Sequence, residues 1–322
     1  MIAAEHMITA IKAQPGARID RIVSGDLALG QSFAARHGIT RASTDLGATL
    51  SDAAVDVGSI FSTNEKHPAQ AMAAGKHVLC EIPLTMTPAQ AAQMVRAAKA
   101  AGVVLATNHH LRCAGSQRAI RALIAGGRIG RVLSARAFHA VDLPPHRQSW
   151  RINDPAAGGG VIPDITVHDA DTVRFVLGED PVDVVAQAAA SGMGDDVEDS
   201  VMSVWTLPSG AAVFAHESFT HPLAGSGLEV HGTQGSIFAR GEMTQTPVGD
   251  IELVTVAGRE AVPYAFHDRC GQAVQQFAGA VAGQGQTAAD DRDGVEALAV
   301  ASAVRASALS GTRLRVDYGV LA

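Results

Sequence analysis

Three side chains that could move a proton follow a run of glycines in the middle of the chain. Asp164, His168 and Asp171 are spaced i, i+4 and i+7, which places them on one face of a helix. A carboxylate one turn from an imidazole can orient the ring and raise its pKa, as a general acid or base near neutral pH requires. The spacing therefore predicts a catalytic pair, Asp164 and His168. It also suits a solvated helix face that carries an ordinary His–Asp pair.

Polar residues also follow two short apolar runs in the first third of the chain. Residues 80–83 (Cys-Glu-Ile-Pro) end one predicted strand, and residues 108–110 (Asn-His-His) end the next. Ligands of parallel sheets bind at the carboxyl ends of the strands, so Glu81 and Asn108 are candidate binding residues. Pro83 could be cis, and a plain strand-to-helix turn is the alternative. Adjacent histidines on a strand end point to opposite sides, so we expect no metal site there.

The elements that must position these residues change character along the chain. Up to about residue 110, β-branched runs alternate with Ala-rich helical stretches, which predicts parallel strands with right-handed crossovers in a doubly wound α/β sheet. One predicted helix, Pro88–Ala101, has Thr87 as N-cap and Pro88 at its first position. The expected strands are 19–23, 55–61, 77–81 and 103–107, and the other expected helices are 2–13, 27–37 and 68–74.

The second part of the chain predicts a different architecture. Strand-like stretches follow one another, separated by turns such as Pro208-Ser-Gly210, which is typical of an α+β domain with a largely antiparallel sheet. We therefore expect two domains, 1–112 and 113–322. The expected strands are 132–140, 182–190, 201–207, 211–219, 228–231, 236–240 and 251–256, and the expected helices are 163–177, 270–282 and 294–310.

Composition excludes several classes of protein. Hydrophobic residues make up 47% of the 322 and charged residues 18%, which excludes a disordered chain. No run approaches the roughly 18 apolar residues of a membrane helix. The chain has a net charge of −7 and no block of basic residues, so we expect no nucleic-acid partner. The scattered Cys80, Cys113 and Cys270 read as reduced thiols, and the N-terminus lacks a secretion signal, so we expect a cytoplasmic protein.

Several of these segments together resemble the Gfo/Idh/MocA oxidoreductases. The resemblance rests on residues 75–84 (GKHVLCEIPL), 108–112 (NHHLR), 127–130 (GRIG), 158–172 (GGGVIPDITVHDADT) and 229–236 (EVHGTQGS), with Val197-Glu-Asp199. It covers nearly the whole chain, and within the family the chain is most similar to bacterial reductases that reduce a sugar carbonyl with NADPH.

The resemblance implies a Rossmann-type domain followed by a domain with an open, mainly antiparallel sheet, with the substrate between them. It implies hydride transfer between a nicotinamide cofactor, NADP or NAD, and a sugar carbon. His168 matches the family's catalytic histidine and Asp164 its substrate-orienting carboxylate. The positions that match those lining the cofactor or the reacting carbon are Asn64, His67, Glu81, Pro83 and Asn108. The exposed face of the open sheet is a candidate homodimer surface.

Three departures from the family pattern bear on activity. Ile82 occupies the position of the lysine in the family's Glu-Lys-Pro motif, so no ammonium stands there. The first strand and its glycine loop are missing, and a start assigned too late would explain that departure alone. Leu29 occupies the position of the arginine that binds the 2′-phosphate of NADP. Ser24 could still bind that phosphate, but Asp26 would repel it, so we expect weak preference for NADP or preference for NAD.

Two functions remain open at this point. The first is an NAD(P)-dependent sugar oxidoreductase with reduced or altered activity. The second is a non-catalytic sugar-binding or regulatory protein that keeps the substrate sheet and the Asp164/His168 pair. Saturable cofactor binding would separate them.

Overall fold

The computed structural model describes residues 6–64, 75–244 and 249–319 of the chain. The predicted helix at 68–74 and the candidate His67 lie outside these residues. Among the described residues, no helix is long and apolar enough to cross a membrane.

Five short parallel strands occupy the first third of the chain. They are β1 (Arg21–Val23), β2 (Arg41–Ser43), β3 (Val57–Ile60), β4 (His77–Cys80) and β5 (Leu105–Thr107). Strand β1 pairs with β2, whereas β3, β4 and β5 form a second sheet in that order. Within the described part of the chain, β1 and β3 are therefore not paired with each other. The predicted parallel architecture is confirmed, and its strands are divided into two groups.

The described helices of this part are Ile8–Lys12, Leu27–Arg36, Leu46–Ser51 and Pro88–Ala101. Three of them begin at a side-chain cap, whereas Ile8–Lys12 does not. The Thr87 side chain accepts a hydrogen bond from the Gln90 amide (3.3 Å), and Pro88 opens the helix, as predicted. Asp26 and Asp45 cap the second and third helices in the same way.

The rest of the chain builds one nine-stranded sheet. The strands are Val132–Asp142 (β6), Asp183–Ala189 (β7), Ser200–Thr206 (β8), Ala212–Ser218 (β9), Thr220–Gly232 (β10), Gly235–Arg240 (β11), Asp250–Thr255 (β12), Gly258–Ala261 (β13) and Leu314–Arg315 (β14). Their order in the sheet is β13-β12-β11-β10-β6-β9-β8-β7-β14, and every neighbouring pair is antiparallel except β6 with β9. The predicted open, mainly antiparallel sheet is confirmed.

One face of this sheet is covered by helices and forms the main core. These helices are Gly115–Ala125, Val167–Leu177 and Asp291–Ser310. A further helix, Arg269–Val281, packs instead against Met7 and Leu79. A turn of π-helix, Ile162–Thr166, leads into Val167–Leu177, so the predicted helix 163–177 has two parts. Pro163 lies in the first turn, where its missing N–H leaves no intrahelical hydrogen bond unmade.

The last long helix joins the two parts of the molecule. Val295 and Leu298 pack with Val78 and Leu105 of the parallel strands. Other residues of the same helix, such as Val300, belong to the core of the nine-stranded sheet. Asp291–Ser310 begins with a capping box formed by Asp290 and Asp293. The helix therefore fixes the parallel sheet against the large one.

Candidate active site

Glu81 and Asn108 meet at the carboxyl ends of β4 and β5. Asn108 Nδ2 donates a hydrogen bond to Glu81 Oε1 (2.6 Å), and the Asn108 amide donates to the Cys80 carbonyl (2.8 Å). Burial raises the pKa of Glu81 to about 7, and the hydrogen bond from Asn108 opposes that rise. Asn108 Oδ1 is buried and has no hydrogen-bond partner among the described residues.

The turn after Glu81 carries the residue that replaces the expected lysine. The Ile82–Pro83 peptide bond is cis, the conformation considered for this turn in the sequence. Ile82 is half-buried and packs against the core of the nine-stranded sheet. An apolar side chain therefore occupies this position at the junction of the two sheets.

The glycine run brings the two parts of the chain into contact at Asn64. Asn64 Nδ2 donates to the Gly158 carbonyl (3.2 Å), and Asn64 is buried. A Cβ at Gly158 would lie 2.5 Å from Asn64 Nδ2 and 2.8 Å from Met86 Sδ, and the Gly158 φ is +91°. Only glycine fits this close approach without displacing its neighbours. The structure thus places Asn64 beside the segment that leads to Asp164 and His168.

His168 lies against the two histidines that follow β5. Its ring centroid is 6.1 Å from that of His109 and 5.4 Å from that of His110, with nearly perpendicular ring planes in both pairs. Burial lowers the pKa of His168 to about 4, and the charge of His139 acts in the same direction. Burial also holds the pKa values of His109 and His110 well below the usual range. At neutral pH the cluster therefore holds three uncharged imidazoles.

Asp164 has a different partner from the one that its spacing suggests. Its Oδ1 accepts a hydrogen bond from Arg151 Nε (2.8 Å), and its side chain is 26% exposed. The Arg151 guanidinium also lies 4.6 Å from the ring of Trp150. The expectation that Asp164 raises the pKa of His168 is wrong in its net result, because desolvation of the buried ring outweighs the carboxylate's charge.

An ion-pair network that the sequence reading missed holds this region together. Arg112 Nε donates to both oxygens of Asp171 (3.0 and 2.9 Å), and its two terminal nitrogens donate to Asp293 (2.6 and 2.7 Å). Asp171 Oδ2 is also 3.7 Å from His109 Nδ1. The only sequence signal for this network was the position of Asp171 on the helical face that carries His168.

Ser24 is not part of this cluster, because it follows β1 in the other parallel sheet. Its Oγ accepts a hydrogen bond from the Asp26 amide (3.3 Å), and Asp26 in turn accepts one from the Leu29 amide (3.0 Å). Leu29 is 67% exposed. The turn after β1 thus presents a hydroxyl, a carboxylate and an exposed leucine, without a guanidinium at the matched position.

The buried polar atoms at the strand ends fit the polar end of a nicotinamide cofactor. The carboxamide of nicotinamide can donate and accept hydrogen bonds, and Asn108 Oδ1 and the ring nitrogens of His109 are buried without hydrogen-bond partners among the described residues. They lie at the sheet edge where doubly wound folds bind dinucleotides. No group of three or more His, Cys, Asp or Glu in the described ranges is arranged to hold a metal ion.

Comparison with known proteins covers nearly the whole chain. Residues 1–109 match the model of the oxidoreductase family with an NAD-binding Rossmann fold, and residues 117–238 match the GFO/IDH/MocA C-terminal domain. The 1,5-anhydro-D-fructose reductase of Ensifer adhaerens is 46% identical over an alignment 323 residues long, which covers 99% of this chain and 97% of the relative.

Solved structures share the fold at lower identity. The aldose-aldose oxidoreductase of Caulobacter crescentus, complexed with glycerol, superposes with a TM-score of 0.89 at 21% identity, covering 98% of this chain and 96% of that one. An oxidoreductase of Agrobacterium radiobacter in complex with NAD+, L-tartaric acid and magnesium has a TM-score of 0.86 at 21% identity, covering 98% and 95%.

Proposed function

Since the chain belongs to the Gfo/Idh/MocA oxidoreductase family, we propose that it transfers a hydride between a nicotinamide cofactor and a carbonyl carbon of a sugar or sugar derivative. We further propose 1,5-anhydro-D-fructose as the first substrate to test, because the Ensifer adhaerens reductase is 46% identical across 99% of this chain.

The observation that carries the proposal is the meeting of His168 with the carboxyl ends of β4 and β5. This juxtaposition sets a half-buried, uncharged imidazole beside the edge where a cofactor binds. During oxidation, a neutral imidazole takes the proton from a sugar hydroxyl. In the reverse direction, the imidazolium form gives a proton to the alkoxide that forms when hydride adds to the carbonyl carbon. We therefore propose His168 as the catalytic acid–base.

Other residues support binding and orientation. A bound nicotinamide supplies or accepts the hydride. We propose that Asn64, His67, Glu81, Pro83 and Asn108 line the cofactor, with Ser24 at its adenosine end. Asp164, partly exposed and held by Arg151, is proposed to accept a hydrogen bond from a substrate hydroxyl.

The test combines cofactor binding with turnover. We expect saturable quenching or enhancement of NADH and NADPH fluorescence, and oxidation of reduced cofactor on addition of 1,5-anhydro-D-fructose. His168→Ala should lower kcat by about 10² to 10⁴ without abolishing cofactor binding. His231→Ala, on the nine-stranded sheet, is the matched control and should keep wild-type turnover. Absence of cofactor binding by the wild-type chain would instead favour a non-catalytic sugar-binding protein.

The turn after β1 supports weak discrimination between the two cofactors. Leu29 offers no hydrogen bond to a 2′-phosphate, and the exposed Asp26 carboxylate repels one. We propose that the chain binds NAD at least as well as NADP, which the same fluorescence titrations measure. A strong preference for NADP would contradict this proposal.

We also propose that the protein is cytoplasmic and forms a homodimer. Each subunit has two domains, with the boundary between residues 112 and 113. The three cysteines are buried and free, which suits a reducing compartment. The face of the large sheet away from the helices exposes Met202 (56%) and Phe214 (52%). Light scattering should give a dimer mass that Phe214→Glu lowers to that of a monomer.

A further inference from the structure

We propose that His109 is the positioning residue of His168, joining its ring to the carboxylate of Asp171. The kinetic part of this inference rests on the proposed oxidoreductase function. It names a polar support for His168 in a chain that carries Ile82 where the family pattern has a lysine.

The first support is the placement of His109 itself. It is 2% exposed, and both of its ring nitrogens are buried without a hydrogen-bond partner in the described part of the chain. One of them, Nδ1, lies 3.7 Å from Asp171 Oδ2, and the ring faces that of His168 at 82°. A buried imidazole with unpaired nitrogens is costly unless it serves a purpose at the site.

The second support is the rigidity of Asp171. Its two oxygens accept hydrogen bonds from Arg112, whose other nitrogens are bound by Asp293 at the start of the last long helix. Asp171 is 1% exposed, so solvent does not screen its carboxylate from a donor on His109 Nδ1, 3.7 Å away. The carboxylate thus lies beside His109 on the same helix, Val167–Leu177, that carries His168.

The third support concerns the lysines. Lys12 Nζ donates to the His37 carbonyl, and Lys76 Nζ donates to the Asp52 carbonyl, both away from the histidine cluster. Ile82 packs against the apolar core. Within the described ranges, no ammonium is recorded in contact with His168. Of the two histidines whose rings face His168, His109 is the one that lies beside the carboxylate of Asp171.

His110 provides the matched comparison. It is equally buried (3%), and its ring is closer to His168, at 5.4 Å. Its polar contact, however, is with the backbone of Asn108 rather than with a carboxylate. If ring packing alone positioned His168, His110 would matter at least as much as His109.

Variants of His109 separate packing from the polar link. His109→Phe keeps an aromatic ring and removes the link to Asp171, whereas His109→Gln keeps a donor toward that carboxylate. We expect His109→Phe to lower kcat by about tenfold to a hundredfold with KM unchanged, since small displacements of a catalytic group have costs of that size. His109→Gln should retain more activity than His109→Phe, and His110→Phe should lose less.

A measurement on the cofactor-free protein keeps the inference separate from the proposed activity. Nitrogen chemical shifts of the His168 ring report its tautomer. We expect the wild type and His110→Phe to share one dominant tautomer, and His109→Phe to change it. Thermal unfolding of each variant checks that it folds, and His109→Gln stands in if the phenylalanine variant does not. An unchanged His168 tautomer in a folded His109 variant would overturn the inference, whether or not the wild type turns over sugar.

Discussion

At the scale of single residues, burial decides the chemistry of His168. Desolvation lowers the pKa of its ring to about 4, although Asp164 and Asp171 act in the opposite direction. The spacing of Asp164 and His168 could identify the pair, because it depends only on helical periodicity. It could not give the net shift, since the rings of His109 and His110 come from a strand end about 60 residues earlier in the chain, and periodicity does not report such contacts.

The lowered pKa of His168 gives a pH dependence with a definite sign. A base works in its deprotonated form, and His168 is deprotonated at every pH above about 4. In a Glu81→Gln background, which removes the carboxyl group whose pKa burial raises to about 7, we therefore expect kcat/KM for alcohol oxidation to stay level as the pH falls from neutrality and to decline only as it approaches 4. Initial rates over this range check the prediction, with thermal unfolding at each pH to exclude acid denaturation. A decline centred near the ordinary histidine value of 6.5 would contradict it.

At the scale of elements, hydrophobic periodicity predicted the helices and strands that bury one face. It missed the elements that are defined by pairing with a distant part of the chain. The helix Pro88–Ala101 has its predicted bounds because Thr87, Pro88 and Gly102 mark its ends locally. Strand β2 (Arg41–Ser43) was not predicted, since three residues carry no alternation and only pairing with β1 defines it. Strand β10 was predicted at 228–231 but begins at Thr220. Its first part contains a register shift and Gly225, and its residues do not alternate between apolar and polar.

A side chain at Gly160 would be strained by the backbone conformation and would displace the Glu198 carboxylate. A Cβ there would lie 2.5 Å from Glu198 Oε1, with a φ of +111°. We expect Gly160→Ala to shift this segment, lowering kcat and destabilising the fold by about 1–3 kcal/mol. Gly178→Ala is the matched control, because its φ is +72° but nothing lies within 4 Å of its added Cβ. Denaturant unfolding and turnover of both variants measure the difference, and equal losses would show that backbone conformation alone is responsible.

At the scale of the whole molecule, the last long helix supports both the β3-β4-β5 sheet and the nine-stranded sheet. Phe277 of Arg269–Val281 packs with Met7 and Leu79, and the last long helix contacts the cores of both sheets. The sequence predicted both helices but not where they pack, because the apolar residues of a helix do not identify the element that they contact. The parts of the molecule on either side of His168 are thus held together by chain segments that are far apart in the sequence.

The last prediction concerns the separation of β1 from β3 in the described structure and the isoleucine at position 82. Strands β1 and β3 belong to separate sheets, and an N-terminal extension carrying a strand and a glycine loop could pair with both and bind the cofactor's pyrophosphate. We expect Ile82→Lys together with this extension to raise reduction of 1,5-anhydro-D-fructose by about 10² to 10⁴ over the chain as it stands, because a positioned proton donor typically contributes that much. Neither change alone should suffice.

Two further chains make this comparison specific. The extension with Ile82→Met controls for side-chain length without charge, and the extension alone separates cofactor binding from proton transfer. Kd values for NADH should fall with either extended chain, while kcat should rise only where lysine is present. If the unaltered chain already turned over at about 10 per second, an ordinary enzyme rate, then His168 would suffice as the acid and Ile82 would not limit the reaction.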